Sequence, residues 1–154
     1  MTYQSTKIFD NYSVAIRQWK AQHSHCQLLH GYALKFKVWF EGDKLDEMNW
    51  LVDFGGFKDK PTGNGLKAWM NDMFDHTTLI EKDDPYYDLF EQMGVMGIAK
   101  VQFMDKMGAE SLARLVFEKF NDVLSKTDAG RCRVVKVECF ENDKNSAIYY
   151  DQNI

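Results

Sequence analysis

Three of the four histidines crowd one short stretch, where His23, His25 and His30 flank Cys26. A thiol works as a base or nucleophile only as thiolate, and a neighbouring imidazolium lowers its pKa. Histidines gathered this closely are also zinc ligands when their rings converge. A second group is Asp75-His76, where a carboxylate beside an imidazole can fix its tautomer. Two carboxylates stand out as well. Glu138 lies in an alternating run, and Glu110 opens a helical pattern, where it also suits the positive end of the helix dipole. Each residue has a plainer reading: a small buried thiol, a helix cap, a solvent-facing strand carboxylate.

The elements that must position these residues follow from periodicity. Leu34, Phe36, Val38 and Phe40 alternate with polar neighbours, which predicts a half-buried strand over Tyr32–Glu41. Ile8–Trp19 reads as a strand before it, and Lys20–Leu29 as the connection. Leu66, Trp69, Met70 and Met73 recur at helical spacing, behind a front broken by Pro61, Gly63 and Gly65. Asp83–Gly97 reads as an inserted loop with a short helical piece, and Ala99–Met104 as extended. Leu112, Leu115, Val116, Phe120 and Val123 make one stripe of an amphipathic helix over Ala109–Leu124, ended by Asp128-Ala129-Gly130. Arg131–Phe140 and Ala147–Tyr150 close the chain as paired strands. The order is ββααββ in a single domain spanning 1–154: an antiparallel sheet with two main helices on one face. Such a sheet leaves its edges and second face uncovered, which predicts self-association into a β-barrel oligomer.

Composition narrows the function classes. A length of 154 residues suffices for one core without disulfides or metals. Aromatics at 14% predict a core or interface rich in rings. A net charge of −4 without a basic run argues against nucleic-acid and anionic-membrane partners. Met1–Asp10 lacks the apolar core of a signal peptide, and no apolar run is long enough to span a bilayer. Cys26, Cys132 and Cys139 have unrelated spacings and form no disulfide framework, which points to a reducing, cytoplasmic setting.

Five blocks in order carry a resemblance. Cys26-Gln27-Leu28-Leu29-His30-Gly31-Tyr32 resembles Cys-x-x-Leu-His-Gly-His, and Leu51-Val52-Asp53-Phe54 with Lys58 resembles Val-Asp-Phe-x-x-Leu-Lys. Phe74-Asp75-His76-Thr77-Thr78-Leu79 is similar to Leu-Asp-His-x-x-Leu. Glu110-Ser111-Leu112-Ala113 matches the helix start Pro-Thr-x-Glu-x-Leu-Ala, with Gly108-Ala109 in place of the usual lead-in. Val135-Lys136-Val137-Glu138 resembles Val-x-Val-x-Glu-Thr. Together they resemble the 6-pyruvoyl- and 6-carboxy-tetrahydropterin synthases, whose fold is the T-fold (tunnelling fold).

The resemblance implies roles. Cys26 would be the base on the substrate side chain, with Asp75 and His76 serving the complementary proton transfers. Glu138 would anchor the pterin, since a carboxylate accepts paired hydrogen bonds from the 2-amino group and N3–H. Glu110 would bind substrate beside it. The implied reaction is a lyase step on dihydroneopterin triphosphate or a related pterin, whose 6-carboxy product leads toward 7-deazaguanines such as queuosine. Sites in this family form between subunits of a homo-oligomer, a hexamer or similar.

The zinc motif departs from the pattern. The family holds zinc with one histidine on the first strand and two in His-Gly-His. Here the first falls near Ile16 or Arg17 and the last is Tyr32, which leaves His30. Zinc is then possible only if His23 and His25 swing toward His30. Two other readings stay open: a zinc-free pterin- or purine-binding protein without turnover, and a structural oligomer without a ligand. The triphosphate end has only Arg17, Lys20 and Lys35 as scattered cationic partners.

Overall fold

The computed structural model describes residues 1–57, 63–127 and 130–153. Lys58 and Pro61, and the Asp128-Ala129 end expected for the long helix, lie outside the described residues. β1 (Tyr3–Ile16) and β2 (His30–Gly42) form a long antiparallel ribbon, paired from Tyr3↔Gly42 to Ile16↔His30. Alternation turns Leu34, Phe36, Val38 and Phe40 of β2 inward, each no more than 1% exposed. On β1 the register shifts between Phe9 and Tyr12, where Asn11 takes a φ of 65°. This bulge lets Phe9 and Tyr12 both face the core although they are three apart.

α1 (Leu66–Phe74) and α3 (Ala109–Leu124) cover that inner face. Leu112, Val116 and Phe120 are buried at helical spacing, each contributing about 1.5–3 kcal/mol on removal from water. The aromatic surplus goes largely into this layer: the rings of Phe9 and Phe120 meet at 5.5 Å and those of Phe40 and Phe57 at 5.5 Å. β5 (Arg133–Phe140) and β6 (Ser146–Tyr150) extend the sheet beyond β2. β5 bulges opposite the Trp39/Phe40 step. There Asn121 of α3 binds both backbone groups of Val134, accepting from its N–H at 2.8 Å and donating to its carbonyl at 2.9 Å.

The expected purely antiparallel sheet is corrected to a mixed one, in the order β4-β3-β1-β2-β5-β6. β3 (Thr77–Glu81) leaves α1 directly and lies parallel to β1, and β4 (Val101–Met104) lies parallel to β3. Parallel neighbours need a crossover, and the stretch read as an inserted loop supplies it as α2 (Tyr87–Val95). α2 packs on the sheet face opposite α1 and α3. There it covers fully buried Ile80 and sets Tyr87 4.2 Å from Phe103. Among the described residues, no helix is long and apolar enough to cross a membrane.

Candidate active site

The connection from β1 to β2 is held by consecutive anchors that begin where β1 ends. Arg17 donates from Nε to Asp84 Oδ2 at 2.8 Å and from Nη1 to the Gln27 carbonyl at 3.0 Å. The Asp84 side chain is fully buried, so this ion pair is sheltered from water. Gln18 donates its N–H to the Cys26 carbonyl at 2.8 Å and its Nε2–H to the Met107 carbonyl at 3.3 Å. Trp19 and Lys20 both bind Asp83. Cys26 therefore sits on a tethered turn (His25–Gln27). Ser24 caps that turn by accepting the Cys26 N–H at 3.2 Å. The thiol is partly buried and free.

Gln18 thereby links the Cys26 turn to Met107, just before α3. Tyr32 and His30 point to the helix face of β2, with ring centroids 4.9 Å apart and edge-on. Burial first, then the charges of Glu141 and Cys26, pushes the Tyr32 phenol up, so it remains an O–H donor. The Cys139 thiol is pushed well above its ordinary value by burial, with Glu141 and Glu110 adding to the effect. A Cβ on Gly108 would stand 3.2 Å from Glu110 Oε2 and 3.4 Å from Gln18 Nε2, so Gly108 leaves room for both. Buried Glu81 accepts the Met107 N–H at 3.0 Å through Oε1, while its Oε2 is buried without a partner.

The other expected residues lie elsewhere. Glu138 faces away from the helices, paired across the sheet with Lys37 and Ile148, and accepts the Ser146 hydroxyl at 2.7 Å. Glu141 follows β5 directly, and its charge is the second cause, after burial, of the raised Tyr32 phenol. The spacing Val137-x-Cys139-x-Glu141-Asn142 also fits Val-x-Val-x-Glu-Thr, with Cys139 for the second valine; the sequence reading placed the motif three residues earlier, on Glu138, and missed this alignment. Asp75 and His76 do meet, Oδ1 to Nδ1 at 2.9 Å, because His76 takes a φ of 52° and turns back on its neighbour. Asp75 borders a shallow cavity with Tyr12, Lys67 and Asn71, while the His76 side chain is 84% exposed. Among the described residues of one chain they share no bonding partner with Cys26.

A zinc ion does not fit these residues. Ile16 and His30 are directly paired on the two strands, and Val14 faces Tyr32. The positions on this face thus offer one imidazole, one phenol and a fully buried hydrocarbon, against the neutral imidazoles the metal needs. His30 Nδ1 lies 2.6 Å from the Leu28 carbonyl, which can only accept, so Nδ1 carries the proton. Nε2 is left as a buried lone pair without a partner. His23 and His25 stay exposed on the loop, and among the described residues no three potential ligands come together.

The family model for 6-pyruvoyl tetrahydropterin synthase matches residues 6–152. A 6-carboxy-5,6,7,8-tetrahydropterin synthase of Aquifex aeolicus is 30% identical over 132 residues, covering 82% of this chain and 76% of the relative. An uncharacterised protein of Wolinella succinogenes superposes with a TM-score of 0.79 at 21% identity, over 99% of both chains. The 6-pyruvoyl tetrahydropterin synthase of Caenorhabditis elegans gives 0.65 at 18% identity, over 99% of this chain and 97% of that one. These likenesses confirm the T-fold expected from the blocks. The order of those blocks, the fold and the family match agree: this chain belongs to the 6-pyruvoyl tetrahydropterin synthase family.

Proposed function

We propose that the protein binds a pterin and acts on its side chain as a lyase, in a cytoplasmic homo-oligomer whose sites form between subunits. The observation that carries this reading is a free, partly buried thiol, Cys26, on a turn that Gln18 ties to Met107 at the approach to α3, where Gln18 Nε2 and Glu110 Oε2 both border Gly108. Glu110 and Glu141 accept the 2-amino and N3–H donors of the pterin edge. Cys26, as thiolate, takes a proton from the side-chain carbon next to the ring. Asp75 and His76, too far round β1 to serve Cys26 of their own chain, arrive from a neighbouring subunit and return a proton.

The relative named 6-carboxy-tetrahydropterin synthase supports the same reaction class. The donor set at Ile16, His30 and Tyr32 favours chemistry without zinc, and equally a second reading, pterin binding without turnover. Product formation separates the two. With dihydroneopterin and its triphosphate as substrates, Cys26→Ala should abolish turnover and keep pterin binding, and Glu141→Gln should weaken binding at least tenfold. Full turnover in Cys26→Ala removes the base assignment. An intact protein that binds no pterin ends the reading altogether.

A further inference from the structure

We infer that Lys100 is a positioning residue for the Asp75-His76 pair, an inference that rests on the reading of that pair as proton-transfer residues. His76 is held in a backbone conformation that a side chain disfavours. Its φ of 52° lies in the left-handed region, which persists at a residue with a Cβ only where the surroundings impose it. That φ is what turns the imidazole back, Nδ1 to Asp75 Oδ1 at 2.9 Å. A carboxylate only accepts, so Nδ1 carries the proton. Nε2 is left as the lone pair of a side chain that is 84% exposed, ready to exchange a proton beyond its own turn.

The surroundings that impose this turn come from the end of the crossover between β3 and β4. An ammonium has three donors, and Lys100, just before β4, uses Nζ on two carbonyls: Asn71 at 3.0 Å and Asp75 at 2.9 Å. The first lies in the last turn of α1, where a cation is favoured by the helix dipole. The second belongs to the peptide that joins Asp75 to His76, and the Thr77 hydroxyl donates to the same oxygen at 2.9 Å. Beyond His76, the Thr78 N–H donates to the Lys100 carbonyl at 2.7 Å. Lys100 thus grips the chain before His76 with its side chain and after it with its backbone. β3 pairs with β1 only from Thr77 onward, so the Asp75-His76 peptide is fixed by Lys100 and Thr77 rather than by the sheet. Gln102, two residues on, reinforces the clamp from Nε2 to the Asp72 carbonyl at 3.3 Å.

Lys100→Met keeps the length of the side chain and removes its donors, while Lys100→Arg keeps charge and donors. The measurements are steady-state turnover of dihydroneopterin and its triphosphate by the intact protein, and the nitrogen-15 spectrum of His76 in mildly alkaline solution, where an ordinary imidazole is neutral. In Lys100→Met, kcat should fall about tenfold with KM within about twofold, and the ring should pass from the Nδ1–H form to a mixture of tautomers. Lys100→Arg should recover most of both. Wild-type kcat and tautomer in Lys100→Met overturn the inference, and so does a loss of kcat with the tautomer unchanged. Either result beside an inactive His76→Ala leaves the catalytic reading of the pair standing. Full turnover in His76→Ala, or none in the unaltered protein, removes that reading and this inference with it.

Discussion

Tyr32 stands edge-on to His30, ring centroids 4.9 Å apart and planes at 88°, while Ile16 fills the place across the strand from His30. The imidazole is bound by its Nδ1–H to the Leu28 carbonyl and keeps one lone pair turned into a dry corner. The imidazole is thus held by a hydrogen bond, and the paired positions beside it carry no second imidazole.

Restoring two imidazoles should restore the metal. Purified Ile16→His/Tyr32→His is expected to hold about one zinc per chain by elemental analysis, lost again when His30→Ala is added. The unaltered protein should hold none after incubation with zinc. Ile16→His alone should cost about 2–4 kcal/mol in urea unfolding, because it trades a fully buried isoleucine for a polar ring. Stoichiometric zinc in the unaltered protein would mean that the exposed His23 and His25 close on His30.

Arg17 orders the turn that carries Cys26. Arg17→Ala strands the buried Asp84 carboxylate, and unfolding should be easier by about 3 kcal/mol. It also frees the Gln27 carbonyl, so Cys26 should alkylate several-fold faster with iodoacetamide. Arg17→Lys should recover part of the stability and little of the protection, since a lysine ammonium cannot reproduce the guanidinium fork that reaches both partners. Unchanged alkylation in Arg17→Ala would remove its positioning role.

Tyr12 makes stability fall in alkali. Burial first, then Asp10 and Asp75, pushes its phenol from 10.0 up to about 12. The folded state keeps the proton longer than the unfolded state, so this contribution is intact below pH 10 and is lost as pH rises from about 10 through about 12. The loss amounts to about 2–3 kcal/mol at the top of that range. Tyr12→Phe should flatten this part of the curve, as read by denaturant midpoints against pH. A slope identical in both proteins would sink the assignment.

Asn121 holds the β5 bulge in place. Asn121→Ala leaves the Val134 N–H and carbonyl without their partner and should cost about 2–3 kcal/mol. Asn121→Asp keeps the acceptor and should cost less. Hydrogen exchange at the Val134 amide, followed by NMR, should rise in Asn121→Ala and stay slow in Asn121→Asp.

The sequence by itself determined the strands and helices of the antiparallel half, the placing of aromatic residues in the core, and the blocks around Cys26, Asp75 and Glu110. Those signals are local: a period of two along β2, a period near 3.6 along α3, and short motifs. Only the tertiary structure decided the rest. Ala99–Met104 reads as extended and becomes β4, but β3 and the parallel pairing of both strands depend on burial by β1 and α2, far away in sequence, which no local alternation announces. Whether Glu138 or Glu141 reaches Tyr32 depends on which face of β5 meets the helices, and a shift of one residue reverses that choice. The separation of Asp75-His76 from Cys26 follows from β3 and β2 flanking opposite sides of β1, a long-range pairing that no spacing along the chain encodes.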